Sequence, residues 1–86
     1  MYLHLGQDVV VPAGSVVGIF DLDNTSQSHL TRRFLRLAEK NGCVVSVSGE
    51  LPKSFAVCFE NGKQTVYLSQ ISSATLLKRA EGNSFE

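Results

Sequence analysis

The sequence predicts an α+β fold: a small, mostly antiparallel sheet of five to six strands with one full helix and one short C-terminal helix. Short runs rich in β-branched residues recur along the chain. The segment 28–40 alone carries a sustained helical period. Asn61-Gly62 stands between two apolar runs, where a two-residue hairpin turn needs residues that tolerate positive φ. With 86 residues the chain is at the small end for one domain, so 1–80 reads as a single domain and 81–86 as a polar C-terminal tail.

Leu3 and Leu5 alternate with Tyr2 and His4, and Gly6-Gln7-Asp8 turns the chain into Val9-Val10-Val11, a first hairpin. Pro12-Ala13-Gly14 interrupts the pattern before a strand at 15–20, and a polar run fills 21–28. In the helix Leu30, Phe34, Leu37 and Ala38 recur at i, i+4, i+7 and i+8. Asn24, Thr25 or Ser26 supplies its N-cap, and Asn41-Gly42 the left-handed residue that ends it. Strands follow at 43–47, 54–59 and 64–69. Ser72 or Ser73 then caps the short helix, whose apolar positions are Leu76, Leu77 and Ala80.

Phe55, Val57 and Phe59 point to one side of their strand and Ala56 and Cys58 to the other, so the sheet needs cover on both faces. One full helix and one short one are little cover, which makes a second subunit the expected complement and the protein an oligomer. Eight basic residues balance eight acidic ones, which excludes a globally basic nucleic-acid binder but allows one basic face. Cys43 and Cys58 lie in apolar runs and read as buried free thiols; two cysteines cannot make a Cys-x-x-Cys zinc set. No segment approaches the ~18 apolar residues of a membrane span, and the N-terminus lacks a basic region followed by an apolar run, so the cytoplasm is the expected compartment.

Asp21-Leu22-Asp23-Asn24-Thr25, at the end of an apolar strand, resembles the first motif of the haloacid-dehalogenase phosphotransferases. That likeness implies nucleophile and general-acid roles for Asp21 and Asp23, with Mg²⁺. Attack on a phosphate by a carboxylate needs further metal ligands to offset repulsion, and no downstream acidic pair supplies them. The motif therefore reads as a strand-to-helix turn, with no enzyme, cofactor or metal site expected. His4 and His29 read as structural, and Ser72-Ser73 as a cap.

At about 100° per residue, His29, Arg32, Arg33, Arg36 and Lys40 share an arc of about 100° away from the apolar positions of the helix. Arginine forks in such a stripe suit phosphate contacts; the same stripe also reads as a solvated face.

Met1-Tyr2-Leu3-His4-Leu5-Gly6, Val17-Gly18-Ile19-Phe20-Asp21, Leu51-Pro52-Lys53-Ser54, and the run from Leu68-Ser69-Gln70-Ile71-Ser72-Ser73 through Ala74-Thr75-Leu76-Leu77-Lys78-Arg79-Ala80 together resemble the bacterial extracellular matrix regulators, in their RemB branch. The resemblance covers nearly the whole chain. The related RemA branch consists of DNA-binding activators of biofilm-matrix genes that resemble LytTR-type domains and form ring-like oligomers. It implies here a LytTR-like fold, a ring-like homo-oligomer and double-stranded DNA as partner, with Arg32, Arg33, Arg36, Lys40 and Lys53 as candidate DNA-binding residues. Where RemA proteins carry clustered arginines, this chain has Glu50-Leu51-Pro52-Lys53, and only Lys53 keeps a positive charge. That difference gives a second expectation, an interaction subunit that assembles with a related regulator and touches no DNA.

Overall fold

The structure is a computed structural model, and it describes residues 1–22 and 29–82. Its elements in chain order are β1 (Tyr2–Gly6), β2 (Val9–Pro12), a 3-10 turn (Ala13–Ser15), β3 (Val16–Asp21), α1 (His29–Lys40), β4 (Val44–Ser46), β5 (Ser54–Glu60), β6 (Lys63–Ser69) and α2 (Ser73–Gly82). The fold is α+β, but the strands form two sheets rather than one. A four-stranded sheet has the order β3-β5-β6-β4, and β1 and β2 pair only with each other. β3, β5 and β6 are antiparallel neighbours, whereas β4 joins β6 in parallel.

The separation of β1–β2 corrects the expectation of a single sheet, and its reason is packing. Leu3, Leu5 and Val11 all face inward, so the hairpin has one apolar side, and it lays that side on the sheet instead of extending its edge. Leu3 and Leu5 are fully buried there with Ala56, Cys58, Val47 and Leu76 of α2. This face of the sheet, which seemed short of cover, is closed by the hairpin and α2 together.

On the opposite face Phe55, Val57 and Val66 pack with Ala38 of α1, and Phe34, Leu35, Cys43 and Val44 border them. The end of α1 is set by its sequence. Gly42, at φ 70°, donates to the Glu39 carbonyl and Cys43 to the Ala38 carbonyl, closing the last turn as a Schellman motif with Cys43 folded back on Ala38. The predicted N-cap residues lie outside the described residues.

The β5–β6 turn has Asn61 at φ 55° and Gly62 at φ 77°, the two left-handed positions of a type I′ hairpin, which fix the register Glu60↔Lys63 through Ser54↔Ser69. α2 begins after Ser72, whose hydroxyl accepts from the Thr75 N–H at 3.3 Å. It runs to Gly82, so Glu81 is helical; residues 83–86 lie outside the described residues. No described helix is long and apolar enough to cross a membrane.

Cys58 is buried and Cys43 half-buried, and both are free thiols. Burial pushes the Cys58 thiol above its ordinary pKa, opposed by a hydrogen bond with Ser15 and reinforced by the charge of Glu60. Burial also raises Tyr67 on the same side. An acid whose pKa rises on folding keeps its proton longer in the native state than in the unfolded chain. Stability is therefore expected to fall as pH climbs above about 8.5 through the folded pKa of Cys58, and further as Tyr67 titrates. Denaturation midpoints at stepped alkaline pH check this, and Cys58→Ser should remove the first part of the slope. A thiol reagent at neutral pH should label Cys43 ahead of Cys58.

Candidate nucleic-acid interface

α1 is amphipathic because its apolar residues recur at three- and four-residue steps, and this spacing fixes what its other side presents. Ala38 is buried, Phe34 and Leu35 are half-buried, and His29, Arg32, Arg33, Arg36 and Lys40 are all exposed. The predicted stripe is thus one outward surface of a single helix. Lys40 lies in the last turn, where a positive charge also favours the helix dipole. Glu39 is the acid within this helix, and with Arg36 it borders a shallow cleft whose apolar lining comes from Leu35, Val44 and Leu68.

Lys53 occupies a different place. Its N–H donates to the Ser69 carbonyl and its carbonyl accepts from the Leu22 N–H, which pins it to the end of the sheet immediately before β5. Its side chain is exposed. Lys53 thus belongs to the 48–53 loop and not to the stripe, so the five predicted residues form a group of four on α1 and one on the loop.

Asp21 ends β3 half-buried opposite Ser54, and Asp23 lies outside the described residues. Among the described residues no three of His, Cys, Asp and Glu gather around a point where a metal could sit. The exposed His4 uses its ring instead: Nε2–H donates to the Gln7 carbonyl at 3.0 Å across the first turn, while Arg79 of α2 donates to the His4 carbonyl at 3.2 Å.

Two features of this surface escaped sequence reading. One is an apolar cleft of about 330 Å³ between α1 and the free edge strand β3, lined by Val17, Phe20, Leu30, Phe34, Phe55 and Val57. It exists because α1 lies over β5 and β6 and leaves the β3 side of that face open. Phe20 stacks on Phe55 with ring centroids 5.0 Å apart, forming its floor. The other is the outward position of Leu51 in the Glu50-Leu51 loop tip, where it is 87% exposed. The signal for the first was available as Val17, an extra apolar residue in a strand whose register shifts between Val16 and Gly18.

A small α+β unit with an exposed arginine helix and an uncovered apolar cleft presents surfaces suited to binding. Comparison with known proteins agrees: the family profile described as extracellular matrix regulatory protein A-like matches residues 2–80, and the chain belongs to this RemA-like family. It is 43% identical to extracellular matrix regulatory protein B of Bacillus subtilis (strain 168) over 81 residues, 94% of this chain and 91% of that protein.

Proposed function

We propose that this chain is a cytoplasmic transcriptional regulator of extracellular matrix genes that self-associates into a ring-like homo-oligomer and binds double-stranded DNA. The observation that carries the proposal is the exposed stripe Arg32, Arg33, Arg36 and Lys40 on one face of α1 in a member of a regulatory family. Each copy offers few phosphate contacts, with Lys53 as a separate one. Repeating them around an assembly supplies affinity that one 86-residue protomer lacks. The uncovered apolar cleft supports the oligomeric part, and the resemblance to the RemA branch supports a LytTR-like fold. Such binding is electrostatic and independent of fine sequence, so it weakens steeply with salt.

The test is a titration of duplex DNA at low and moderate salt. Wild-type protein should bind at low salt, and Arg32/Arg33/Arg36→Ala should weaken binding and reduce the slope of log affinity against log salt by about 1 for each arginine that contacts a phosphate. Binding that is absent at low salt, or unchanged in the triple variant, refutes the DNA reading. The second reading, an interaction subunit assembled with a partner regulator, is favoured by the acidic and apolar Glu50-Leu51 tip. Co-purification with a related regulator after nuclease treatment, without DNA affinity of its own, is its signature.

A further inference from the structure

The cleft between α1 and β3 has a specific occupant. We infer that it receives the Glu50-Leu51 loop tip of a second copy of this chain, in a head-to-tail contact between unlike surfaces; the inference rests on the self-association reading above.

The cleft is open and apolar at its mouth, where Val17 is 71% and Leu30 78% exposed. On α1, Leu30 and Leu37 lie along one line, and Arg33 and Lys40 flank that line on its outer side by the helical repeat. Of these, Arg33 stands one turn from Leu30 and puts a positive charge beside the mouth. A symmetric contact, cleft against cleft, would bring Arg33 toward its own equivalent and desolvate like charges. The covering surface must instead be apolar at its centre and acidic beside it.

Among the described residues, the Glu50-Leu51 tip has that chemistry, with Lys53 at the loop's far end, and it is held ready. Leu51 has almost no contacts of its own, and Glu50 beside it is also exposed. The loop that presents them is tied at both ends. The Val47 N–H donates to the Leu68 carbonyl, the Glu50 N–H to the Ser48 hydroxyl at 3.1 Å, and the Lys53 N–H to the Ser69 carbonyl, while Pro52 restricts the backbone next to Leu51. A leucine fixed in an outward position loses little conformational freedom on docking. Phe59, also exposed and next to Glu60, is a weaker candidate because it lies on the same side of β5 as Phe55 and Val57, which line the cleft itself.

Knob and socket are different surfaces, so each copy can give one contact and accept one, and the contact propagates from copy to copy. In the assembly Arg33 is then covered by Glu50 of the neighbour, so within the stripe the phosphate contacts fall to Arg32, Arg36 and Lys40.

The experiment measures mass in solution by light scattering at fixed protomer concentration, for wild type, Leu51→Asp, Leu30→Asp and a mixture of the two variants. Both positions are exposed, and circular dichroism confirms that the variants fold. Each variant alone should lose the wild-type assembly. The mixture retains one good knob and one good socket, so it should form a species of two chains and stop there. A Leu51→Asp protein with wild-type mass, or a mixture that stays monomeric, overturns this contact while leaving self-association standing. Monomeric wild type overturns both. As an independent check, Glu50→Arg should weaken assembly and Arg33→Glu in the same chain should restore it; failure of that restoration also counts against the contact.

Discussion

Leu76→Ala should destabilise the protein by about 2–5 kcal/mol, the range for a leucine truncated in a core that relaxes only partly. Leu76 is fully buried and is the residue through which α2 enters the cluster of Leu3, Leu5, Val11 and Cys58. Its loss therefore loosens the helix and the hairpin at once. A domain of this size has about 5–10 kcal/mol in total, and each kcal/mol corresponds to roughly 4–8 °C of Tm, so a drop of at least about 8 °C is expected at equal protomer concentration. Leu77→Ala, at the exposed neighbouring position, is the control and should change stability by less than about 0.5 kcal/mol. Thermal unfolding of the pair decides the matter. Equal effects would mean that α2 does not hold the hairpin against the sheet.

That comparison also shows where sequence reading reached its limit. The 3.6-residue period of α1, its Gly42 ending and the Asn61-Gly62 turn were legible because each is decided within a few residues by backbone geometry. The alternation of Leu3 and Leu5 was equally legible as one-sided burial. Alternation reports that a strand has an apolar face, however, and not whether the strand joins a sheet at its edge or lies across it. Placing β1–β2 on top of the sheet requires knowing that Ala56 and Cys58 are small and leave room there, a relation between residues more than 50 positions apart.

The same distinction applies to the candidate interface. The basic stripe followed from helix periodicity, and the structure places all four of its Arg and Lys residues on the exposed side of α1. The cleft beside it did not follow, because its existence depends on how far across the sheet α1 lies. Nor did the exposure of Leu51, since one leucine in a polar loop carries no periodic signal. Polar residues with buried roles were the least legible: Ser54 and Ser69 read as strand ends and are both completely buried.

Those two serines are register partners across β5 and β6, and they carry the second large expected effect. The Ser69 hydroxyl donates to the Leu5 carbonyl at 2.7 Å and accepts from the Ile71 N–H at 3.0 Å, while the Ser54 hydroxyl donates to the Ile71 carbonyl at 2.7 Å. One side chain thus joins the end of β6 to β1, satisfying the Leu5 carbonyl of the hairpin and the Ile71 N–H of the connection that follows β6. Ser69→Ala strands a buried acceptor and a donor together. At about 1–3 kcal/mol for each unsatisfied group, and with incomplete additivity between neighbours, it should cost roughly 2–4 kcal/mol. Ser54→Ala strands only the Ile71 carbonyl, at a less buried bond, and should cost less. Ser69→Cys keeps the shape but offers a weaker donor, so it should fall between wild type and Ser69→Ala. Urea midpoints for the three variants give the order. If Ser69→Ala is no more damaging than Ser54→Ala, the hairpin is held by Leu3, Leu5 and Leu76 alone, and the buried hydroxyl adds no net attachment between the two sheets.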